Sequence, residues 1–321
     1  MPQEANVVIY DLMVEAEPSY SGAVAFDPAA DGLNVTALPE FAVNYQHAGD
    51  RPAPQGTEGK IKRVAPTGRT VEGTIMSEVA GAEATYSLSV TPRHHDLIQA
   101  SGFSGSFESN SWVYKRNAID QAYSVAAQLF ARDTVRTVAG GLCDLAFTIE
   151  EAGATGMAEF TLAGIVSLPE ASGTIPSITH PDENPPIATD IQFTIDGVTD
   201  LCLRSVNFQL QRDVSTPRTN ANSSQGLCGI AAGRMDPILT VVVEANPATF
   251  DAYAYRDAAT EFAASFTVGD TAYNTYAFSF PTCTIMAVNE QDDGPVAMWE
   301  LVIDIHNSNP GNRDDIQWTF S

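Results

Sequence analysis

Along most of the chain, short apolar runs alternate with polar positions at a spacing of two and are separated by Gly, Asp and Asn. That period puts successive side chains on opposite faces of a sheet, so it predicts strands with one buried face. Ile191-Gln-Phe-Thr-Ile195 and Val206-Asn-Phe-Gln-Leu210 show it most clearly. Further strands are predicted at 71–76, 85–90, 145–149, 160–166, 239–243 and 299–305, each rich in Val, Ile, Thr or aromatic residues. Two short helices interrupt them: Thr91-Pro92 precedes Arg-His-His-Asp-Leu-Ile-Gln-Ala-Ser101, and Asn246-Pro247 precedes Ala-Thr-Phe-Asp-Ala-Tyr-Ala-Tyr255. A Thr or Asn cap followed by proline at the first helical position is a start signal.

The two prolines lie 155 residues apart, and Asp96 and Asp251 fall at the same step after them. Each half then closes on a similar unit, Cys143 to Ile165 and Cys283 to Ile305, both 22 steps long with an acidic turn between two strands. The order of elements therefore repeats, with about fifteen extra residues in the first half assigned to the Gly/Ser-rich stretch 101–110, where an insertion lengthens a surface loop at little cost. Between the halves, 172–186 holds four prolines in fifteen residues and reads as an extended linker. The expected division is 1–178 and 179–321.

At 321 residues the chain is long for one core and suggests two domains. Sixteen Lys and Arg against 40 Asp and Glu give a net charge of −24. With only three lysines, Lys60, Lys62 and Lys115, and scattered arginines, no basic stripe exists to displace counterions from nucleic acid or to meet an anionic membrane. The N-terminal apolar run is broken by Asp11 and Glu15, so it is expected to be neither a signal peptide nor a membrane span. Cys143, Cys202, Cys228 and Cys283 are far apart and are expected to be reduced, as in a cytoplasm.

Candidate chemistry is sparse. Adjacent His94 and His95 point about 100° apart on a helix and are expected on its surface rather than on one metal. Cys228, in Gly226-Leu-Cys-Gly-Ile-Ala-Ala-Gly233, has no histidine within 40 residues and reads as part of a glycine-rich turn. The acid pairs Asp292-Asp293 and Asp314-Asp315 lack the spacing of a calcium loop and read as solvated turns. Neither a P-loop nor a G-x-G-x-x-G motif is present, and Asn34 and Asn222 head glycosylation sequons that matter only on secretion. The sequence thus points away from catalysis and from a cofactor or metal, towards a structural or binding role. Arg212, Arg218 and Arg234, in a polar stretch beside strands, are the candidate contacts to acids on an adjacent subunit.

Gly68-Arg-Thr-Val-Glu-Gly-Thr-Ile75, the segment Thr91 to Phe103 with its Gly-Phe after the helix, Gly140 to Phe147, Ala158 to Gly164, and Ser205 to Arg212 followed by Gly226 and Gly233-Arg234 resemble the tail tube (major tail) proteins of long-tailed bacteriophages, over roughly residues 40–305. The resemblance implies a mainly β chain: two tandem β-sandwich or barrel folds, each flanked by a short helix, with hairpins that join subunits into a ring. It implies a virion tail protein, assembled in the host cytoplasm, whose stacked rings conduct DNA without gripping it. Partners would be copies of itself and other tail proteins such as the tape measure and terminator. Single-domain members form sixfold rings, so a chain with two such folds would close a ring as a trimer with pseudo-sixfold symmetry, the alternative being a hexamer. The competing class is another virion or surface β module, a head decoration or an adhesin that binds a partner or glycan.

Overall fold

The computed structural model describes residues 10–37, 39, 41–47, 66–116, 123–131, 134–151, 153–166, 171–172, 175–189, 191–214, 216–219, 227–293, 295–309 and 313–321. The first half contains β1 (Tyr10–Ala16), β2 (Gly32–Leu33), β3 (Ala42–His47), β4 (Pro66–Glu78), α1 (His95–Ala100), β5 (Phe103–Glu108), β6 (Ser111–Arg116), β7 (Val125–Ala131), β8 (Thr134–Ile149), β9 (Met157–Val166) and β10 (Ala171–Ser172). The second contains β11 (Gln192–Ile195), β12 (Leu203–Gln209), β13 (Thr216–Thr219), β14 (Leu227–Ala231), β15 (Ile238–Glu244), α2 (Ala252–Asp257), β16 (Phe262–Val268), β17 (Tyr276–Asp293), β18 (Val296–Ile305) and β19 (Gln317–Phe320). The protein is mainly β, as the alternating pattern requires.

All pairings are antiparallel, and their order recurs. The first half runs β3-β4-β9-β8-β7-β1. The second runs β12-β15-β18-β17-β16-β11. Each helix follows the second strand of its series. The extra segment of the first half is a hairpin, β5 and β6, rather than a loop within 101–110. Ser109 and Asn110 join its strands at φ of 49° and 66°, the left-handed pair that matches the twist of a two-residue hairpin.

The closing hairpins correspond as elements but not residue by residue. Cys283 lies opposite Ile305, whereas Cys143 lies opposite Leu162 and Ile165 opposite Ala139. The register shifts at Gly140-Gly141, where Gly140 takes φ of 61° and β8 carries a bulge instead of ending. The helices also start later than their prolines suggest. Pro92 and Asn246 accept turn hydrogen bonds from His95 and Thr249, and α2 is capped by Asp251, whose carboxylate accepts from the Ala254 amide at 3.0 Å. Residues 85–90 form no strand; Ser87 and Val90 close a turn.

The halves do not have separate cores. The far end of β8 pairs with β12, Val206 opposite Ile149, and β19 lies between β17 and β6. One buried cluster therefore spans both, from Leu12 and Phe160 to Phe208 and Trp318. Phe147 of β8 enters the aromatic stack of the second half, 5.1 Å from Phe278 and 5.7 Å from Phe266, while Phe278 stacks on Trp318 at 4.5 Å. The Pro-rich segment lacks regular structure over 175–186, as expected, yet it is tied down: Thr179 donates to Pro28, Pro181 accepts from Asn34 at 2.6 Å, and Glu183 pairs with Arg93 at 2.8 Å.

Candidate assembly surfaces

Three surface features are built on this frame. The first is the separate two-stranded sheet of β13 and β14, whose tip, 220–226, lies outside the described residues along with Asn222 and Gly226. Its base is held against β8 and β9 by Val214 and Ile230 packing on Leu142 and Ala163. Tyr20 fixes the register: its hydroxyl accepts from the Ile230 amide at 2.6 Å and donates to the Ile230 carbonyl at 3.2 Å. Gly229, at φ of 141°, is required there, since a Cβ would stand 2.2 Å from the Tyr20 oxygen. Cys228 thus lies on a strand, not in a turn, with its thiol on the Arg218 carbonyl at 3.6 Å, and Arg218 is exposed.

The second is a cleft of about 360 Å³ between β1, α1 and the Pro-rich segment, lined by Glu15, Asp31, Asp96 and Glu183, with Arg93 among them. Burial, then the charges of Asp31 and Asp96, raises Glu15 to about 7. Burial, then Asp31, raises Asp96 to about 6. His94 beside it is not on a helix surface. The turn at Pro92–His94 tucks its ring inside, 1% exposed and stacked on Phe160 at 5.7 Å, with neither nitrogen hydrogen-bonded. Burial, then Arg93, lowers it to about 3. His95 is also lowered by burial, to about 4, and its Nδ1 meets the Tyr114 hydroxyl at 2.7 Å.

These shifts oppose one another. A carboxyl raised in the folded state stabilises at low pH, and that stability is lost as pH rises through the folded value. A histidine lowered in the folded state stabilises above its unfolded value, near 6.5, and that stability is lost as pH falls towards 3 or 4. Replacing His94 with Phe, which keeps the stack and removes the unpartnered nitrogens, is expected to raise the melting temperature more at pH 4.5 than at pH 8. Glu15→Gln is expected to stabilise more at pH 8 than at pH 4.5. Thermal melts of both variants at the two pH values check the signs.

The third feature is a cleft of about 640 Å³ at the seam where β19 meets β6, lined in part by Arg116, Arg234, Arg313, Met235, Pro237 and Ile305. Arg116 pairs with Asp315 at 2.6 Å; Arg234 is 85% exposed and pairs with Asp236 at 2.7 Å. Asp315, read from sequence as a solvated turn acid, is 1% exposed. Its partner Asp314 is half-buried, and Asp292 is exposed.

Of the three arginines singled out by sequence, Arg218 and Arg234 are on the surface and Arg212 is not. Arg212 is 5% exposed and donates from Nη1 to the carbonyls of Ala100 at 2.6 Å and Cys143 at 3.3 Å, while its amide donates to Asp144. It satisfies the last carbonyl of α1, which lacks an intrahelical partner, and so bolts the second half to the first. Gly102, at φ of 99°, ends the helix and leaves room, since a Cβ would stand 2.3 Å from Met235 Cε and 3.2 Å from the guanidinium. The thiols of Cys143 and Cys283 are buried and pushed up to about 12, far from the thiolate a nucleophile needs.

Fold and surfaces together define a mainly β protein whose described strand pairings are all antiparallel, with an outlying two-stranded sheet and two clefts lined by charged groups. The family model of phage tail tube proteins matches residues 61–320, most of the chain, and the chain belongs to that family. No curated protein matches it. It is a structural protein of the virion tail, and tail tube proteins assemble with copies of themselves and other tail components. Among the described residues, no helix is long and apolar enough to cross a membrane.

Proposed function

We propose that the chain is the repeating subunit of a tail tube whose rings stack axially and conduct DNA during genome delivery, after synthesis and assembly in the host cytoplasm. In this reading, 1–178 and 179–321 are two copies of one tube fold. The observation that carries it is the recurrence of one six-strand antiparallel order, with a helix after the second strand each time. Two folds per chain let a ring close with three chains and pseudo-sixfold symmetry. The shared core supports one chain serving as one building block, because β8 pairs with β12 and β19 with β6, so strands of each half complete the other.

Charge supports the same role. Three chains sum to −72, from −24 each. A wall of that sign repels phosphates, so a duplex slides without being held, and like charge keeps subunits apart until specific surfaces dock. In this reading Arg218, exposed on β13, contacts acids on an adjacent subunit. The role needs neither a catalytic centre nor a cofactor, and the tape measure and terminator are the further partners it implies. Electron microscopy of the purified protein at rising concentration is expected to show tubes with three chains per ring. Six chains per ring would overturn the trimer, and particles that stay monomeric throughout would overturn the tube.

A further inference from the structure

The two strand series are joined edge to edge where β12 pairs with β8, and the same place in the second series is unfilled. β8 carries β7 along one edge as far as Gly141 and then β12 over Ala146–Ile149, while β9 occupies its other edge. β17 is built alike: β16 lies along one edge as far as Cys283, and β18 and β19 share the other. Even the irregularity recurs. Val125 and Ala127 of β7 face Gly141 and Val138, as Phe262 and Ala264 of β16 face Cys283 and Phe280, so Gly141 and Cys283 occupy equivalent places. Beyond Cys283, over Thr284–Asp293, the β16 edge of β17 is open among the described residues.

The strand that fills this place on β8 identifies what fits it on β17. β12 opens the second series and is paired on both edges, by β15 and β8. Its counterpart β3 opens the first series and is paired only by β4 among the described residues, with Ala42 and Asn44 exposed. β3 and β17 are the two ends of one run of pairings, β3-β4-β9-β8-β12-β15-β18-β17, and do not pair with each other. At about 4.8 Å per strand they stand roughly 34 Å apart along the sheet, so β3 of the same chain does not reach the open edge. That edge is accessible: Asn289, Glu290, Gln291 and Asp292 are exposed. Tyr253 of α2 donates to Glu290 at 2.6 Å and packs on Trp299, the residue opposite Glu290, so the helix covers a face of the β17–β18 hairpin and leaves its edge free. Unpaired strand groups of this kind are a template for another strand.

We infer that β3 of one copy adds antiparallel to the open edge of β17 in the next, repeating between chains the β12–β8 junction found within each. Ala146–Ile149 lie five to eight residues beyond Gly141, and the same steps beyond Cys283 place the contact at Val288–Gln291. The occupant is a second copy because the strand that fills the equivalent edge is the equivalent of β3. Each copy offers one free β3 and one open β17 edge, so the contact is head-to-tail. Internal and external junctions then alternate, and three chains give the six near-equivalent junctions of a pseudo-sixfold ring. This contact rests on the reading of each chain as two tube folds.

Two measurements on the full chain test it. As wild-type protein assembles from dilute monomer, amide hydrogen exchange is expected to slow by about tenfold or more at alternate residues of Ala42–His47 and Val288–Gln291, where new backbone hydrogen bonds form. A photo-crosslinking residue in place of Asn289, an exposed position, is expected to label residues 39–47 of a second copy. Mixing isotope-labelled and unlabelled chains separates labelling between copies from labelling within one. Tubes in which both segments exchange as in the monomer, or a crosslink to any other peptide, overturn the contact and leave the tube reading standing. A crosslink from β17 to β17 shows two such edges pairing with each other and overturns it too. Wild-type protein that stays monomeric at every concentration overturns the tube reading, and this contact with it.

Discussion

Replacing Phe147 with alanine is expected to destabilise the chain by about 3–5 kcal/mol in denaturant unfolding, the range for emptying a fully packed aromatic site. Phe147 is fully buried. Its ring lies between the halves, against Phe266, Phe278, Tyr276 and Trp318. The backbone on either side cannot collapse into the gap, because β8 is paired with β9 along one edge and with β12 along the other. Phe107→Ala, at a half-buried position on the β5–β6 hairpin, is the comparison and is expected to cost less than half as much. If the halves were independently cored, Phe147→Ala would lower the stability of one transition and leave a second unchanged. The shared cluster instead predicts one cooperative transition that moves as a whole. Two separated transitions in the variant, with the later one at the wild-type midpoint, would contradict that.

Much of the fold is legible where local pattern decides it. The period-two segments 191–195 and 206–210 contain strands because alternation has one physical reading. The recurrence of strand and helix order is legible for the same reason, since it needs only the sequence of elements. What fails is whatever depends on a partner far along the chain. The alternation predicts a strand only at 145–149, yet β8 runs from Thr134 through Gly140-Gly141 because β7 and β9 hold it on both sides of a bulge. Thr85 to Val90 has strand composition, but the Trp112 indole engages its carbonyls and a turn results. The two Pro signals mark the approach to each helix rather than its first turn. Length suggests two domains, and nothing local announces that β19 pairs with β6.

The assembly surfaces follow the same rule. Arg218 and Arg234 are exposed, as a polar, glycine-containing stretch implies. Arg212 has the same surroundings in sequence and is buried, because the carbonyl it serves belongs to α1, more than a hundred residues away. His94 is adjacent to His95, and sequence alone predicts the same helix surface for both. One turn of backbone after Pro92 separates them into a sealed ring and a half-buried one. The acidic and arginine-rimmed clefts each draw on three or more elements, so neither leaves a contiguous motif.

Arg116→Met is expected to destabilise the chain by about 3–5 kcal/mol at pH 8, the cost of leaving a buried charge without its partner. Arg116 holds Asp315 at 2.6 Å and donates to Asn307 at 3.2 Å. That pair pins the lead-in to β19 against the end of β6, where Gln317 sits opposite Lys115. Burial raises the Asp315 carboxyl above its ordinary range, and the Arg116 charge pulls it back down. Without Arg116 the carboxyl rises further and takes up a proton at mildly acidic pH. Since a raised carboxyl loses its stabilising contribution as pH rises, the variant is expected to lie closer to wild type at pH 5 than at pH 8. Arg116→Met with Asp315→Leu removes both charges and is expected to recover most of the loss, because a matched apolar pair has no ion to desolvate. Urea unfolding of the three proteins at both pH values decides it: an equal loss at pH 5 and pH 8, or no recovery in the double variant, would show that Arg116 acts through packing and not as the counter-charge of Asp315.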